Sequence, residues 1–241
     1  MPFSPAARKP VSEVVFEELR TAILSGRFAP GDALPSERLL GESFAVNRHA
    51  VREAMKRLQQ AGLVRVHHGG ATRVLDWRVT GGLDLLPHLA FALHDGPSTA
   101  ASLRAILEMR RAIGVDVARL AAGRVTAGRA AALRAFLDDA PAEADPATLG
   151  TRYEDLWRLL VAASDNLAYA LSYNTLLAGA GAVEELSHAV FADEARDADA
   201  QRALVDAIAA GDADGAAERA DALLRRSLAT AFAAETAVAG A

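Results

Sequence analysis

The spacing of apolar residues predicts two short helices near the start of the chain. The first runs from Ser12, a candidate N-cap, to about Ser25, and Gly26 ends it. Five apolar residues at helical spacing would form its buried stripe: Val14, Val15, Leu19, Ile23 and Leu24. The second helix follows Ser36, its candidate cap, and ends near Phe44. A turn that contains Pro and Gly separates the two helices.

A third helix and a hairpin follow directly. The helix begins after the Asn47 cap, and Gly62 is its natural end. Apolar residues at positions i, i+3, i+4 and i+7 predict one buried stripe on this helix: Val51, Ala54, Met55 and Leu58. Two strand-like runs, 63–66 and 72–75, then enclose a tight turn at 68–71. This order of elements predicts a winged helix-turn-helix.

Beyond residue 98 the chain shows helical periodicity only. The predicted helices span residues 99–122, 126–139, 148–163, 167–181, 183–192, 196–210 and 213–236. We therefore predict a mainly α protein in which a winged helix-turn-helix precedes an all-α helical bundle. The predicted parts are a flexible tail over 1–10, the winged domain over 11–75, a linker with a connecting helix over 76–97 and the helical domain over 98–241.

The composition excludes several classes of protein. The 241 residues include no Cys, so disulfides, thiolate metal sites and Cys nucleophiles are ruled out. The chain has no run of about 18 apolar residues that would span a membrane, and residues 1–15 lack the apolar centre of a signal peptide. We therefore expect a cytoplasmic location. A Gly-rich phosphate loop and a G-x-S-x-G elbow are also missing, so we expect no catalytic residues and no cofactor.

Charge is distributed unevenly along the chain. Residues 1–75 carry 11 Lys and Arg against 7 Asp and Glu, a net charge of +4, whereas residues 76–241 carry 15 against 24, a net charge of −9. Within residues 34–75 the ratio is 7 to 3, so the positive charge is concentrated in the predicted helix-turn-helix. Double-stranded DNA is the polyanion that such a module is expected to bind.

The third helix carries the candidate DNA-reading side chains. In a helix-turn-helix, residues at the start of the second helix of the motif meet base edges in the major groove. Because the apolar stripe faces inward, Arg48 and Arg52 lie on the exposed face, and a guanidinium can donate two hydrogen bonds to guanine. Arg38 is placed to reach phosphate or base. For Lys56 and Arg57, a DNA contact and an ordinary solvated position are equally open. The predicted DNA-binding residues are Arg38, Asn47, Arg48, His49, Arg52, and His68 and Gly69 at the tip of the wing.

Residues 11–75 resemble the DNA-binding domain of the GntR family of transcription regulators. The stretches that carry this resemblance are Leu-Ser-Gly-Arg-Phe-Ala-Pro-Gly at 24–31, Leu-Pro-Ser-Glu-Arg at 34–38 and Val-Arg-Glu-Ala at 51–54. The helical part is similar to the FadR branch of that family at 108–111, 163–166 and 207–212. Segments 67–74 and 82–86 are most similar to the fatty-acid-responsive members. The resemblance implies a homodimer that binds operator DNA and responds to a metabolite.

The resemblance also points to a metal site for which this chain lacks the ligands. Many members of the branch hold a metal with one Asp and three His. The corresponding positions in this sequence are occupied by Tyr153, Trp157, Gln201 and Arg225, and His188 is the one His beyond residue 95. Since one imidazole cannot form a three-His site, we predict that no metal is bound.

Aromatic residues at the metal positions suggest an apolar effector pocket instead. The resemblance implies a long-chain acyl-CoA or a fatty acid as the ligand. Arg110 corresponds to an effector-contacting Arg and would pair with a phosphate or a carboxylate. The predicted effector-binding residues are Arg110, Tyr153, Trp157 and Arg225.

Two alternatives share the same architecture. One is a regulator that responds to a small carboxylate, such as a sugar acid, an amino acid or a dicarboxylate. The other is a ligand-independent repressor whose bundle serves only for dimerisation. In the mechanism that the family implies, ligand binding acts through residues 76–97 to change the spacing of the two DNA-binding heads and weakens operator binding.

Overall fold

Apolar residues from the two parts of the chain collect into separate cores. The computed structural model describes residues 9–66, 70–86, 88–89, 97–141, 144–180 and 184–239. The chain divides into two units, Met1–His94 and Asp95–Ala241. Helices predominate among the described residues of the chain, which confirms the predicted mainly α class. Among the described residues, no helix combines the length and the apolar character needed to cross a lipid bilayer.

The first unit has the predicted order of helix, helix, helix and hairpin. Its elements are α1 (Val11–Leu24), α2 (Glu37–Ser43), α3 (Arg48–Gln60), β1 (Val64–Arg65), β2 (Arg73–Val74), α4 (Trp77–Thr80) and a 3₁₀ turn (Leu83–Leu85). The two strands pair antiparallel, with Val64 opposite Val74 and Arg65 opposite Arg73. Both strands are shorter than predicted, and the chain between them at 67–69 lies outside the described residues.

Side-chain caps fix where α2 and α3 begin. Ser36 Oγ accepts a hydrogen bond from the backbone N–H of Leu39 at 3.3 Å, and Asn47 Oδ1 accepts one from Ala50 at 2.9 Å. Both predicted caps are confirmed, and each satisfies an N–H that the first helical turn leaves unpaired. The predicted cap at Ser12 is wrong. Helix α1 begins at Val11, directly after Pro10, which takes the N-cap position without a side-chain hydrogen bond.

The core of the first unit forms where α1 packs on α3. All four residues of the predicted α3 stripe are buried, and α3 also buries Ala50. Four of the five residues of the predicted α1 stripe are buried. Val14 is exposed, whereas Phe16 is buried because it packs under the guanidinium of Arg57 from α3. The apolar faces of these two helices therefore set their orientation within the unit.

The segment after the hairpin is held against the same core. The hydroxyl of Thr80 donates to the carbonyl of Gly62 at 2.7 Å, which links α4 to the end of α3. Leu85 and Leu89 are buried among the apolar residues of the first unit. These contacts show that much of the described part of segment 76–97 packs on the first unit.

The second unit is a bundle of helices throughout its described residues. Its elements are α5 (Pro97–Arg124), α6 (Ala127–Asp138), α7 (Pro146–Ala163), α8 (Leu167–Ala180), α9 (Glu184–Arg196), α10 (Ala198–Ala209) and α11 (Ala213–Ala239). The two longest helices, α5 and α11, lie along each other, and small residues from both, such as Ala118, Ala121 and Ala220, are buried in the core of this unit. Small side chains allow the helix backbones to approach closely, which accounts for the high Ala content.

Two helix boundaries differ from the predicted ones for local reasons. Helix α7 begins at Pro146 because Asp145 supplies the N-cap and Pro is compatible with the first helical position. Helix α9 extends to Arg196, and Asp197 then caps α10 by accepting from Ala200 at 2.8 Å. This extension places residue 194 inside the bundle, where it forms part of the site described below.

Gly62 is expected to tolerate no side chain. Its φ is +70°, and a Cβ atom there would lie 2.3 Å from the carbonyl oxygen of Thr80. A left-handed residue with a Cβ costs about 1–2 kcal/mol, and the backbone clash adds to that cost. We predict that Gly62→Ala lowers the free energy of unfolding of the first unit by more than about 2 kcal/mol, measured by urea denaturation.

Gly26 provides the matched control for this substitution. It has a similar φ of +80°, but a Cβ atom there would meet nothing within 4 Å. Gly26→Ala should therefore carry only the backbone cost of about 1 kcal/mol. Equal losses in the two variants would show that the contact with Thr80 has no role in stability.

Candidate DNA-binding face and effector site

A tight turn between α2 and α3 determines which way α3 faces. Ala45 in this turn has a φ of +53°, a left-handed conformation that is uncommon for a residue with a Cβ. Gly41 lies so close to the turn that a Cβ atom there would be 3.1 Å from the carbonyl oxygen of Val46. Together with the Asn47 cap, this close packing fixes the start of α3 against α2.

The exposed face of α3 presents the predicted reading residues to solvent. Arg48 and His49 are exposed in the first turn. Arg52 lies one turn further on, and its Nη2 donates to Glu37 Oε2 at 3.2 Å. Arg38 on α2 is also exposed and donates to Glu42 at 2.7 Å. Such exposed ion pairs contribute about 0–1 kcal/mol, so a DNA phosphate or a base can replace the carboxylate partner.

Arg57 belongs to the core contact and not to the exposed face. It makes two hydrogen bonds to the carboxylate of Glu13 on α1, and its guanidinium lies 4.1 Å from the centre of the Phe16 ring. The hydrogen bonds from Arg57 lower the pKa of Glu13. Lys56 is exposed and pairs only with Glu53 on its own helix. Of the two positions that the sequence left open, Lys56 alone remains available to DNA.

The wing adds two basic residues that the sequence analysis missed. Arg65 and Arg73 lie opposite each other in the hairpin and are exposed, while Val64 and Val74 point into the core. Arg73 also donates to the carbonyl of Gly31 at 2.8 Å. The alternation of apolar and basic residues in the two strands was the available signal. The predicted contacts His68 and Gly69 lie outside the described residues.

In the second unit, the predicted effector residue Arg110 is paired with a buried carboxylate. Arg110 Nη2 donates to Glu194 Oε2 at 2.8 Å, and the hydroxyl of Tyr153 donates to the same oxygen at 2.6 Å. The other oxygen of Glu194 accepts from the backbone N–H of Ser227 at 3.1 Å. Helices α5, α7, α9 and α11 thus converge on one carboxylate whose side chain is 0% exposed.

The surroundings keep Arg110 charged and Tyr153 protonated. Burial alone would lower the pKa of Arg110, but the neighbouring Glu194 and Tyr153 outweigh it and raise that pKa. Burial raises the pKa of Tyr153 as well. The guanidinium also lies 4.4 Å from the centre of the Phe191 ring, a cation–π contact. Arg110 is therefore enclosed by partners from its own chain.

Trp157 forms the apolar side of this cluster. Its ring lies edge-on to Tyr153, with 6.4 Å between the ring centres. Gly114 on α5 makes room for it, since a Cβ atom there would lie 3.1 Å from the indole ring and 2.5 Å from Leu224. Among the described residues, the buried indole N–H of Trp157 has no hydrogen-bond partner.

Two small cavities flank the cluster. One has Arg110 at its border and is lined mainly by apolar side chains from α5, α7, α8 and α11, including Ile113, Val117, Trp157, Val161, Tyr173 and Leu224. The other lies between α7 and α9, beside Tyr153 and Phe191. Each has a volume of about 20 Å³, which is sufficient for a single water molecule. Any larger ligand therefore requires the helices around it to separate.

Arg225 is not part of this cluster. Its side chain is 64% exposed and pairs with Asp221 on the same helix. The inward face of α11 carries Leu224 and Ser227, so the predicted register was displaced by one or two residues. The residue that sequence reasoning missed is Glu194. Its position in an apolar stripe with Val190 and Phe191 was the signal that could have identified it.

Gln201 stands at another metal-ligand position of the family pattern, and it makes structural contacts there. Gln201 is buried and donates to the backbone carbonyls of Glu194 and Ala195, at 2.9 and 3.0 Å, and thereby holds the end of α9. Within the described residues, no three His, Cys, Asp or Glu side chains lie together as a metal site. The side chain of His188 lies outside the described residues.

Comparison with protein-family models defines the class of this protein. Residues 11–74 match the model of the gntR family of bacterial regulatory proteins, and residues 105–226 match that of the FCD domain. The helix-turn-helix with a basic exposed face and the helical bundle coincide with these two matches. Together they define a DNA-binding transcription regulator. The chain belongs to the GntR family of bacterial regulatory proteins and carries an FCD domain.

Individual relatives agree with this assignment. The chain is 40% identical to the HTH-type transcriptional regulator Mce2R of Mycobacterium tuberculosis over 93% of its own length and 92% of that protein. It is 30% identical to the fatty acid metabolism regulator protein of Edwardsiella ictaluri over 66% of its own length and 65% of that protein. The solved structure of Lar from Listeria monocytogenes matches 94% of this chain and 99% of its own with a TM-score of 0.56, at 15% identity, and so shows the fold alone.

Lys56 and Arg57 provide a test of the division between core and DNA-binding face. Arg57→Ala removes the ion pair with Glu13 and the contact with Phe16. We predict a loss of about 1–3 kcal/mol in the free energy of unfolding, without a change in salt dependence of DNA binding. Lys56→Ala should leave stability within about 0.5 kcal/mol and lower the slope of log affinity against log salt by about 1.

Both variants are measured by urea denaturation and by DNA titration at several salt concentrations. Each serves as the control for the other because the two residues are adjacent in the sequence. A folded Arg57→Ala protein with wild-type stability but a reduced salt slope would contradict the assignment of Arg57 to the core.

Proposed function

We propose that α3 and the wing bind operator DNA and that a metabolite held by the helical unit modulates this binding. The observation that carries the DNA-binding part is the exposure of Arg48 and Arg52 on a helix whose opposite face is buried. The start of α3 at Asn47 supplies further backbone N–H groups for phosphates. Arg65 and Arg73 extend the same positive surface to the wing.

A homodimer is part of this proposal. Helix α8 is apolar around most of its circumference, and Leu167 and Leu171, four residues apart, are 75% and 59% exposed. This exposed face also carries Asn174 but no charged residue, so it is suited to packing against a second copy. Two copies would present two recognition helices to a two-fold symmetric operator.

A long-chain acyl-CoA or a fatty acid is the proposed effector. Two observations support an apolar ligand: the lining of the cavity between α5, α7, α8 and α11, and the 30% identity to a fatty acid metabolism regulator protein. The cavity of about 20 Å³ would have to widen to admit an acyl chain. A small carboxylate is the alternative effector, and it would have to compete with Glu194 for Arg110.

The recognition residues are tested by alanine substitution. The DNA probe is a duplex that the protein itself selects from a randomised pool. We predict that the Arg48→Ala/Arg52→Ala double variant binds the selected duplex at least tenfold more weakly, because each bidentate contact to a base contributes about 1–3 kcal/mol. Binding to a random duplex should weaken much less. Fluorescence anisotropy measures both affinities.

The same titration tests the dimer. At DNA concentrations well above the dissociation constant, saturation should occur at two chains for each duplex. The exposed Glu218→Gln variant of α11 serves as the control and should bind both duplexes like the wild type. Unchanged affinity of the double variant for the selected duplex would exclude α3 as the reading helix, and one chain per duplex would exclude the dimer.

A thermal-shift screen tests the effector class. Long-chain acyl-CoAs, free fatty acids and small carboxylates are compared, with and without EDTA. A ligand at about 100 times its dissociation constant stabilises the folded state by about 2.7 kcal/mol, which corresponds to a rise of several degrees in melting temperature. We predict that the long-chain compounds produce this rise and weaken operator binding. A rise with dicarboxylates alone would favour the small-carboxylate regulator, and no rise with any compound would favour the ligand-independent one.

A further inference from the structure

Arg110 has no net charge to offer an incoming anion. Glu194 neutralises it at 2.8 Å, and Tyr153 and Ser227 take part in the same network. The side chain of Arg110 is 14% exposed, and the ring of Phe191 covers one face of its guanidinium. A carboxylate or phosphate arriving here would meet a neutral ion pair with its hydrogen bonds already made.

Hydrogen bonds to the side chain and to the backbone fix the position of Glu194. Both of its oxygens are used, Oε2 by Arg110 and Tyr153, and Oε1 by the N–H of Ser227. Gln201 fixes the backbone carbonyl of the same residue. Removing one partner of such a buried pair leaves the other charge uncompensated, which is unfavourable. An anionic ligand could take this position only by expelling a carboxylate that is already matched to it.

The cavity beside Arg110 is suited to hydrocarbon. Apart from Arg110, the hydroxyl of Tyr173 and the unpaired indole N–H of Trp157, the residues of its wall are apolar and come from α5, α7, α8 and α11. The hydroxyl of Tyr173 donates to the carbonyl of Glu154 at 3.0 Å and is therefore already engaged. Helix α8 contributes Tyr173 and Leu176 to this wall. With a volume of about 20 Å³, the cavity would admit a hydrocarbon chain only if the helices around it separated.

We propose that Glu194 determines the ligand specificity of the helical unit. By occupying the anion position at Arg110, it makes the adjacent cavity a site for an uncharged, apolar chain and excludes a carboxylate or phosphate head group from that position. A ligand with a charged head would then place that head away from Arg110. This inference rests on the proposal that the helical unit binds a metabolite, and it replaces the expectation that Arg110 pairs with the anionic group of the effector.

The test compares a charged probe with an uncharged one of the same chain length. Decanoate and 1-decanol are titrated into the full-length protein by isothermal calorimetry. Wild-type protein should bind 1-decanol at least as tightly as decanoate. Glu194→Gln keeps the size of the side chain and an acceptor oxygen but leaves Arg110 without a counter-charge. We expect its affinity for decanoate to rise at least tenfold, while that for 1-decanol changes less than threefold.

Two further variants locate the effect. Arg110→Met in the Glu194→Gln background should abolish the gain in decanoate affinity. Asp193→Asn removes one negative charge from an exposed position on the same helix and should behave like the wild type. Circular dichroism verifies that each variant is folded. If Glu194→Gln does not fold, Glu194→Asp withdraws the carboxylate from Arg110 and should give a smaller gain in the same direction.

Three results would overturn the inference. The first is that the wild-type protein binds decanoate tenfold more tightly than 1-decanol and that the Arg110→Met variant lacks this preference. The second is that Glu194→Gln folds but binds decanoate no more tightly than the wild-type protein does. This result includes the case in which neither the wild type nor any variant binds either probe. The third is a gain that persists without Arg110. None of these would affect the DNA titrations or the thermal-shift screen. Conversely, the probes could bind with the expected dependence on charge and yet leave operator binding unchanged. That result would refute only the proposed regulation of DNA binding by a ligand.

Discussion

A helix can turn only one of its faces towards a core, and the DNA-binding unit depends on this constraint. Burial of Val51, Ala54 and Leu58 against α1 leaves Arg48 and Arg52 no position other than the opposite side. The caps and the close turn before α3 set where that helix begins and so which residues occupy its first exposed turn. Affinity for DNA in this unit is therefore a consequence of how its core packs.

The same constraint has a different outcome in the helical unit. There, two charged side chains lie on inward faces, and Arg110 and Glu194 satisfy each other inside the bundle. A buried ion pair is seldom a source of stability, because desolvation of two charges offsets most of their attraction. Its presence at the point where four helices converge is better explained by specificity. Its hydrogen bonds join α9 to α5, α7 and α11, and in the proposal made above it determines what the neighbouring cavity can accept.

Arg57 and Arg110 show how far residue type alone can mislead. Both were candidates for binding a negatively charged partner, and both prove to be paired with a carboxylate of their own chain, Glu13 and Glu194 respectively. An Arg that carries a cation–π contact and a carboxylate partner is part of the packing. Arg48, Arg52 and Lys56 differ because their partners, where present, are exposed and easily exchanged.

The sequence by itself determined the helical class, the caps at Ser36 and Asn47, and the buried stripe of α3, because these follow from contacts within a few residues. It also identified the family through short motifs in the first unit. Only the tertiary structure decided that Glu194 meets Arg110, that Arg225 points outward and that Arg57 packs on Phe16. The contacts of Glu194 with Arg110 and of Arg57 with Phe16 join residues that are tens of positions apart, and local periodicity carries no information about which distant helix a given face will meet.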